Sequence, residues 1–381
     1  MSIENQFTRR GLLSALSLLP AGRLLRAQQS QDPQRPTLQK KPASQESPAG
    51  EQTPKYTTDV KLVSVFATVR EKSSGKIVKD LTKDNFTIEE ENHPQTIKFF
   101  EAESSLPLNL GLLVDTSGSQ GRVLGDERSA GIRFFDQILR DKDQAFVIHF
   151  DYESELLQDF TSSKEKLDKA LDLLEVAQPR QQQTQQQGGN YPQGGGGGGY
   201  PGGGGGYPGG GGGYPGGGRR YPQGGGSRGG TKLYDAILLA SDDLMSKQQG
   251  RKALVLLTDG GDQGSDETLA NAVEAAQRSE VIVYVIMIAD RGFNSMYLGS
   301  GAGAMHKLTE QTGGRVIDVG NNPKKLRDAF DQIQAELRSQ YMIGYVPTNT
   351  VADGKYRKME LKPVNPEYKT QSRKGYFAPK N

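Results

Sequence analysis

Cysteine and tryptophan are both absent from the 381 residues. Without cysteine there is no disulfide framework, no thiolate metal site and no cysteine nucleophile. Histidine is scarce: His93, His149 and His306 lie far apart, a spacing unsuited to a His-rich zinc site. Neither sign of charge is in excess, since 47 Lys and Arg face 45 Asp and Glu for a net +2. No Lys/Arg-rich patch stands out, so nucleic acid is not expected as a partner. Long hydrophobic runs are missing as well. No stretch reaches the ~20 apolar residues that cross a bilayer, so no transmembrane helix is expected. What remains is 34% hydrophobic residues, enough for a real core, in a length that accommodates two or three domains.

Glycine is the residue in excess. Of 49 glycines, 26 fall between Gln181 and Gly230, so the surplus is one local tract. It has no Gly-X-Y period and is not collagen. Tyr-Pro pairs occur at Tyr191, Tyr200, Tyr207, Tyr214 and Tyr221, the last four seven residues apart. A seven-residue repeat of glycine and proline does not make a coiled coil. Residues 178–230 are therefore expected to be a disordered Gly/Tyr/Gln-rich insertion.

At the N-terminus, Thr8-Arg9-Arg10-Gly11-Leu12-Leu13 opens a basic segment followed by an apolar run to Leu19. The run has the length of a signal-peptide core. The paired arginines are similar to a twin-arginine export signal, with Leu12 and Ser14 standing where Phe and Lys are usual. Leu25-Arg26-Ala27 offers a cleavage site, so residues 1–27 read as a signal peptide and the protein as exported. Its destination is then periplasmic, cell-surface or extracellular. Removal of that segment takes away a net charge of three, leaving −1. Residues 28–54, rich in Gln, Pro and Ser, read as a disordered linker.

Alternation at Val60, Leu62, Val65, Ala67 and Val69 predicts a strand, and Phe86, Ile88, Ile97 and Phe99 predict two more. Turns are expected at Ser73-Ser74-Gly75 and Asn92-His93-Pro94. Residues 55–105 thus form a small β domain. From 106 to 338 the rhythm changes to aliphatic strands alternating with helices. Leu108–Val114, Ala145–Phe150, Ala253–Leu257 and Val281–Ala289 read as strands buried on both faces. That pattern implies an α/β fold: a doubly wound, mainly parallel, Rossmann-like sheet with helices on both faces. Residues 339–381 turn β again and are expected to pair with 55–105, giving a small β-sandwich-like unit from the two flanks.

Three motifs sit at the carboxyl ends of predicted strands or the start of a helix, where open α/β sheets place ligands. They are Asp115-Thr116-Ser117-Gly118-Ser119, Gly229-Gly230-Thr231 and Thr258-Asp259-Gly260. They supply carboxylates and hydroxyls only, a donor set for hard cations: magnesium, manganese or calcium. Gly118 is expected to let the backbone curl so that Asp115, Ser117 and Ser119 point to one place.

Asp-x-Ser-x-Ser followed by a later Thr and a later Asp resembles the metal-ion-dependent adhesion site (MIDAS) of von Willebrand factor type A (vWA) domains. The resemblance spans about residues 106–338, and Gly230-Thr231-x-Leu233-Tyr234-Asp235-Ala236 extends it. With the export-like N-terminus and the preceding β unit, the chain also resembles bacterial secreted proteins of that superfamily. The resemblance implies that Ser117 and Ser119 bind a divalent cation, magnesium first, through hydroxyls, as does Thr231 in the ligand-engaged state. It implies that Asp115 and Asp259 act mainly through bound waters or by holding the serines. It further implies a partner, a protein or peptide presenting an Asp or Glu carboxylate to the ion. The long tract ahead of Thr231 departs from the short loop usual there.

Other chemistries fit poorly. Ser117 breaks the Asp-Thr-Gly triplet of an aspartic protease, and Gly229-Gly230-Thr231-Lys232 has the wrong order for a P-loop. Ser117 lacks the Gly-x-Ser-x-Gly setting of a serine hydrolase. His149 reads as a core residue, Asp262 and Asp266 as a solvated acidic turn, and Lys324, Lys325, Arg327 and Asp328 as a wet helix face. The expectation is a non-catalytic binding protein of undetermined oligomeric state. The alternative is a cell-surface structural or assembly protein in which the Gly/Tyr tract is the active element and the metal site incidental.

Overall fold

The computed structural model describes residues 39–40, 62–102, 105–176, 230–288 and 295–380, with the backbone alone at 39–40 and 295–300. The signal-like segment 1–27, nearly all of the linker 28–54 and the insertion up to residue 229 lie outside the described residues. The first strands are β1 (Gln39–Lys40), β2 (Val63–Glu71), β3 (Phe86–Glu90), β4 (His93–Gln95) and β5 (Ile97–Glu101). The middle of the chain runs β6 (Leu108–Asp115), α1 (Leu124–Ile138), β7 (Gln144–Phe150), β8 (Ser154–Thr161), α2 (Lys164–Asp172) and α3 (Leu233–Leu239). It continues through β9 (Arg251–Thr258), α4 (Leu269–Arg278), β10 (Ile282–Met287), α5 (Ser295–Thr312), β11 (Val316–Asp318) and α6 (Pro323–Leu337). The chain closes with β12 (Tyr341–Tyr345), β13 (Tyr356–Pro363), β14 (Tyr368–Gln371) and β15 (Gly375–Phe377).

The main sheet has the order β1-β8-β7-β6-β9-β10-β11, parallel throughout β7 to β11. β8 runs antiparallel to β7, and β1, parallel to β8, shares its reversed direction. Every residue of β6 and β10 is buried, as strands covered on both faces must be. On one face Leu110, Leu112 and Val114 meet Phe134, Phe135 and Ile138 of α1, Leu171 of α2 and Phe330 of α6. On the other, Leu113, Leu254 and Val283 meet Ile237 of α3, Ala276 of α4 and Leu308 of α5. Gly111 is required here, because a Cβ would fall 2.3 Å from the Phe146 ring. Helix starts are capped locally: Asn322 Oδ1 accepts Lys324 N and Lys325 N at 3.0 and 3.1 Å, with Pro323 in the first turn of α6.

The flanks form the expected sandwich. β14-β2-β12-β5 and β15-β13-β3-β4 are four-stranded antiparallel sheets. Val65, Ala67, Ile88, Ile343 and Leu361 fill the space between them, and the rings of Phe86, Phe100 and Tyr341 lie 5.5 to 5.7 Å apart. The α/β domain is thus inserted between β5 and β12. The hairpin between β3 and β4 turns at Glu91 and Asn92, both with positive φ, rather than at Asn92-His93-Pro94. His93 and Pro94 belong to the edge strand, where Pro94 gives up no ladder bond. Glu336 of α6 joins the two bodies. Wholly buried, it pairs with Arg70 of β2 at 2.6 Å and with Arg315 at 2.6 Å, and accepts from Gln371 of β14 at 3.1 Å.

Candidate metal-binding site

β6 and β9 are neighbours with Val114 opposite Leu257, so their carboxyl ends bring Asp115 beside Thr258. Asp115 is wholly buried. Its Oδ1 accepts Ser117 N at 3.0 Å and its Oδ2 accepts Thr258 Oγ1 at 2.8 Å. Ser117 Oγ lies 3.0 Å from Ser119 Oγ, and Ser119 Oγ donates to Asp259 Oδ2 at 2.8 Å. The other Asp259 oxygen accepts Gly261 N at 2.9 Å. Asp115, Ser117, Ser119 and Asp259, from two motifs about 140 positions apart, are therefore one hydrogen-bonded chain, with Ser119 exposed and Ser117 and Asp259 partly so. Thr231, 7% exposed, is not part of that hydrogen-bonded chain; its carbonyl accepts Gln263 N at 3.0 Å, from the loop that follows Asp259.

The curl of the first motif has a different source from the one expected. Gln120 N donates to Ser117 O at 2.9 Å, closing a 3₁₀ turn over Gly118–Gln120. Gly118 has no positive φ, and a Cβ there would meet nothing within 4 Å. The glycine that matters is Gly260, at φ 81°, over which α5 packs so tightly that a Cβ on Gly301 would fall 2.4 Å from its carbonyl oxygen.

Burial, the largest cause, pushes the Asp115 carboxyl up to about 7; the charge of Asp259 adds to it and hydrogen bonds from Ser117 and Thr258 oppose it. Glu127, close enough to feel the charge of Asp115, is 1% exposed, and neither of its carboxylate oxygens has a hydrogen-bond partner among the described residues. Burial pushes it up to about 8, with the charges of Asp115 and Asp126 adding. Among the described residues, no three His, Asp or Glu side chains gather to hold a metal. Two carboxylates and several hydroxyls are what this place offers, an all-oxygen set.

Two further expectations are corrected. His149 is more than a core residue: its Nδ1 lies 3.0 Å from Thr116 Oγ1 and its Nε2 3.2 Å from Glu155 Oε2. The solvated reading holds for Asp266, whose side chain is 58% exposed, but Asp262 is half-buried and bonded within the loop. Asp262 Oδ1 accepts Ser265 Oγ at 2.5 Å and Tyr234 N at 3.3 Å, and Asp266 pairs with Lys232 Nζ at 2.7 Å. Asp235 returns the contact, accepting Asp266 N and Glu267 N at 3.2 and 2.9 Å. The first turn of α3 and the Asp259 loop are thus stitched together. Sequence reasoning passed over Thr116, Glu127, Asp151 and the part played by Thr258. Glu127 was findable, since Leu124, Glu127, Gly131, Phe135 and Ile138 share one stripe of α1 and all are buried.

No protein-family model matches the chain, and no curated protein does. Solved structures do. A von Willebrand factor type A protein from Catenulispora acidiphila is 11% identical, with 78% of this chain and 75% of that one covered, at a TM-score of 0.42. The likeness is to type A domains. The vWF domain of the type V pili tip protein Mfa5 from Porphyromonas gingivalis is 12% identical over 61% of this chain and 95% of its own, at 0.39. The conserved hypothetical protein BatB from Bacteroides thetaiotaomicron is 14% identical over 61% of this chain and 100% of its own, at 0.40. At such scores the likenesses add no weight on activity or partners. The α/β fold stands on the strand order and registers above.

Proposed function

We propose that this chain is an exported, non-catalytic binding protein whose type A-like domain captures a carboxylate of a protein or peptide through a divalent cation. The observation that carries the reading is the chain of oxygens Asp115, Ser117, Ser119, Asp259 at the carboxyl ends of two adjacent strands. The donor set fits a hard cation. Both Asp115 oxygens are already engaged behind the serines, so Asp115 braces the site. Ser117, Ser119 and Asp259, and Thr231 by the family resemblance, would hold the ion, magnesium first and manganese or calcium by the same oxygen chemistry. When bound, the cation supplies a positive centre with few anionic ligands, to which an Asp or Glu side chain of a partner is drawn. Export rests on residues 1–27. Among the described residues no helix is long and apolar enough to cross a membrane.

The test is affinity capture from native envelope extract, with magnesium and then with chelator, alongside calorimetric titration of the protein with magnesium. The reading expects a partner released by chelator, and loss of both cation and partner in Asp259→Ala with an unchanged circular-dichroism spectrum. A partner retained in chelator, or retained by Asp259→Ala, counts against it.

A further inference from the structure

The described chain re-enters the α/β domain at Gly230, directly ahead of Thr231. Among the described residues, local bonds set the position of Thr231. Two backbone bonds do so. Lys232 N donates to Asp151 O at 2.7 Å, and Gln263 N donates to Thr231 O at 3.0 Å. Asp151 follows β7 and is 6% exposed. Its own turn is closed by Asp151 N to Glu153 O at 2.9 Å and by Glu153 N to Asp151 Oδ1 at 3.1 Å. Its remaining oxygen, Oδ2, accepts from Thr116 Oγ1 at 3.2 Å.

Thr116 lies wholly buried between Asp115 and Ser117. Its backbone N donates to Phe150 O at 2.9 Å, and its hydroxyl is backed by His149 Nδ1 at 3.0 Å. We infer that Thr116 and Asp151 form a strut that positions Thr231 in the cation site. The Thr116 hydroxyl fixes the Asp151 turn, and the Asp151 carbonyl fixes Lys232 and with it Thr231. Both are positioning residues, buried and already engaged, and neither presents an oxygen to the ion. The consequence for cation affinity rests on the function proposed above; the strut itself does not.

The experiment is magnesium titration of the full chain as wild type, Thr116→Val, Thr116→Ser, Thr231→Ala and the Thr116→Val/Thr231→Ala double variant. Hydrogen exchange at the Lys232 amide is followed in the cation-free protein. Loss of a hydrogen bond to a carboxylate predicts roughly tenfold weaker magnesium binding in Thr116→Val. Thr116→Ser, which keeps the hydroxyl, restores wild-type affinity. The double variant binds no more weakly than Thr231→Ala alone, because the strut acts only through Thr231. In cation-free Thr116→Val the Lys232 amide exchanges at least about ten times faster. Additive losses, or an unchanged Lys232 exchange rate, overturn the inference. Should Thr116→Val not fold, Asp151→Ala is expected to show the same losses, and undiminished affinity there overturns it equally. If wild-type protein binds no magnesium, the cation reading fails while Lys232 exchange still decides the strut.

Discussion

Asp115 and Glu127 place two carboxyl groups inside the α/β domain, where burial opposes their ionisation and only Asp115 has hydrogen bonds that partly offset it. Asp115 is pushed from 3.8 to about 7 and Glu127 from 4.5 to about 8, burial leading in both. A carboxyl raised on folding binds its proton more tightly in the folded than in the unfolded state. Its contribution to stability is therefore complete below about pH 4 and is lost as pH rises through about 7 for Asp115 and about 8 for Glu127. Cation-free protein should melt at progressively lower temperature from pH 5 to pH 9. Glu127→Gln, neutral and of the same shape, should flatten the alkaline part of that profile. At pH 8.5 it should raise the melting temperature by roughly 2–4 °C, the shift for about 1 kcal/mol in a body of this size. A melting curve at pH 8.5 identical to wild type would count against an unpartnered charge at Glu127. The order Asp115, Ser117, Ser119, Asp259 was legible at this scale because the motif spacing and the strand ends are local facts. The proton-holding role of Glu127 was not, because it depends on what the rest of the fold removes from its surroundings.

Elements built on long apolar runs were readable: β6, β9 and β10 have no polar face to confuse the pattern. β8 was not. Along it only Ser154 and Leu156 are buried, so the alternation fades, and its place is set by pairing against β7 and by β1 on its outer edge. The Asp262–Glu267 loop was only partly legible for a related reason. Its acids look solvated in sequence, and only the nearby first turn of α3 supplies the amides and Lys232 that occupy them. The element with most at stake is α6. Glu336→Ala would leave Arg70 and Arg315, both largely shielded, without their shared carboxylate. Removal of one partner from a buried ion cluster costs about 3 kcal/mol. Differential scanning calorimetry should show a lowered transition that splits in two as the sandwich separates energetically from the α/β domain. A single transition at the wild-type temperature would mean that Glu336 does not couple them.

At the scale of the molecule, the insertion of the α/β domain into a sandwich means that β2 and β12 pair across about 280 positions of chain. A body closed in this way tolerates changes in surface connections better than changes in its strands. Replacing residues 188–229 by a short flexible linker should leave the melting temperature within a few degrees and magnesium binding within about twofold, since among the described residues Asp151 and Gln263 hold the chain around Thr231. Loss of cation-dependent binding on deletion would favour the tract as the active element.

Periodicity, apolar runs and the order of Asp115, Ser117, Ser119, Thr231 and Asp259 are properties of neighbouring residues, and the chain's letters settled them: an α/β body, β flanks and an all-oxygen donor set. Which atom holds which was decided only on folding. That Thr258 braces Asp115, that Ser119 reaches Asp259, that Asp151 catches Lys232 and that Glu336 gathers two arginines are meetings between segments far apart along the backbone. Hydrogen bonds act over about 3 Å, so their partners are chosen by the packing that brings those segments together.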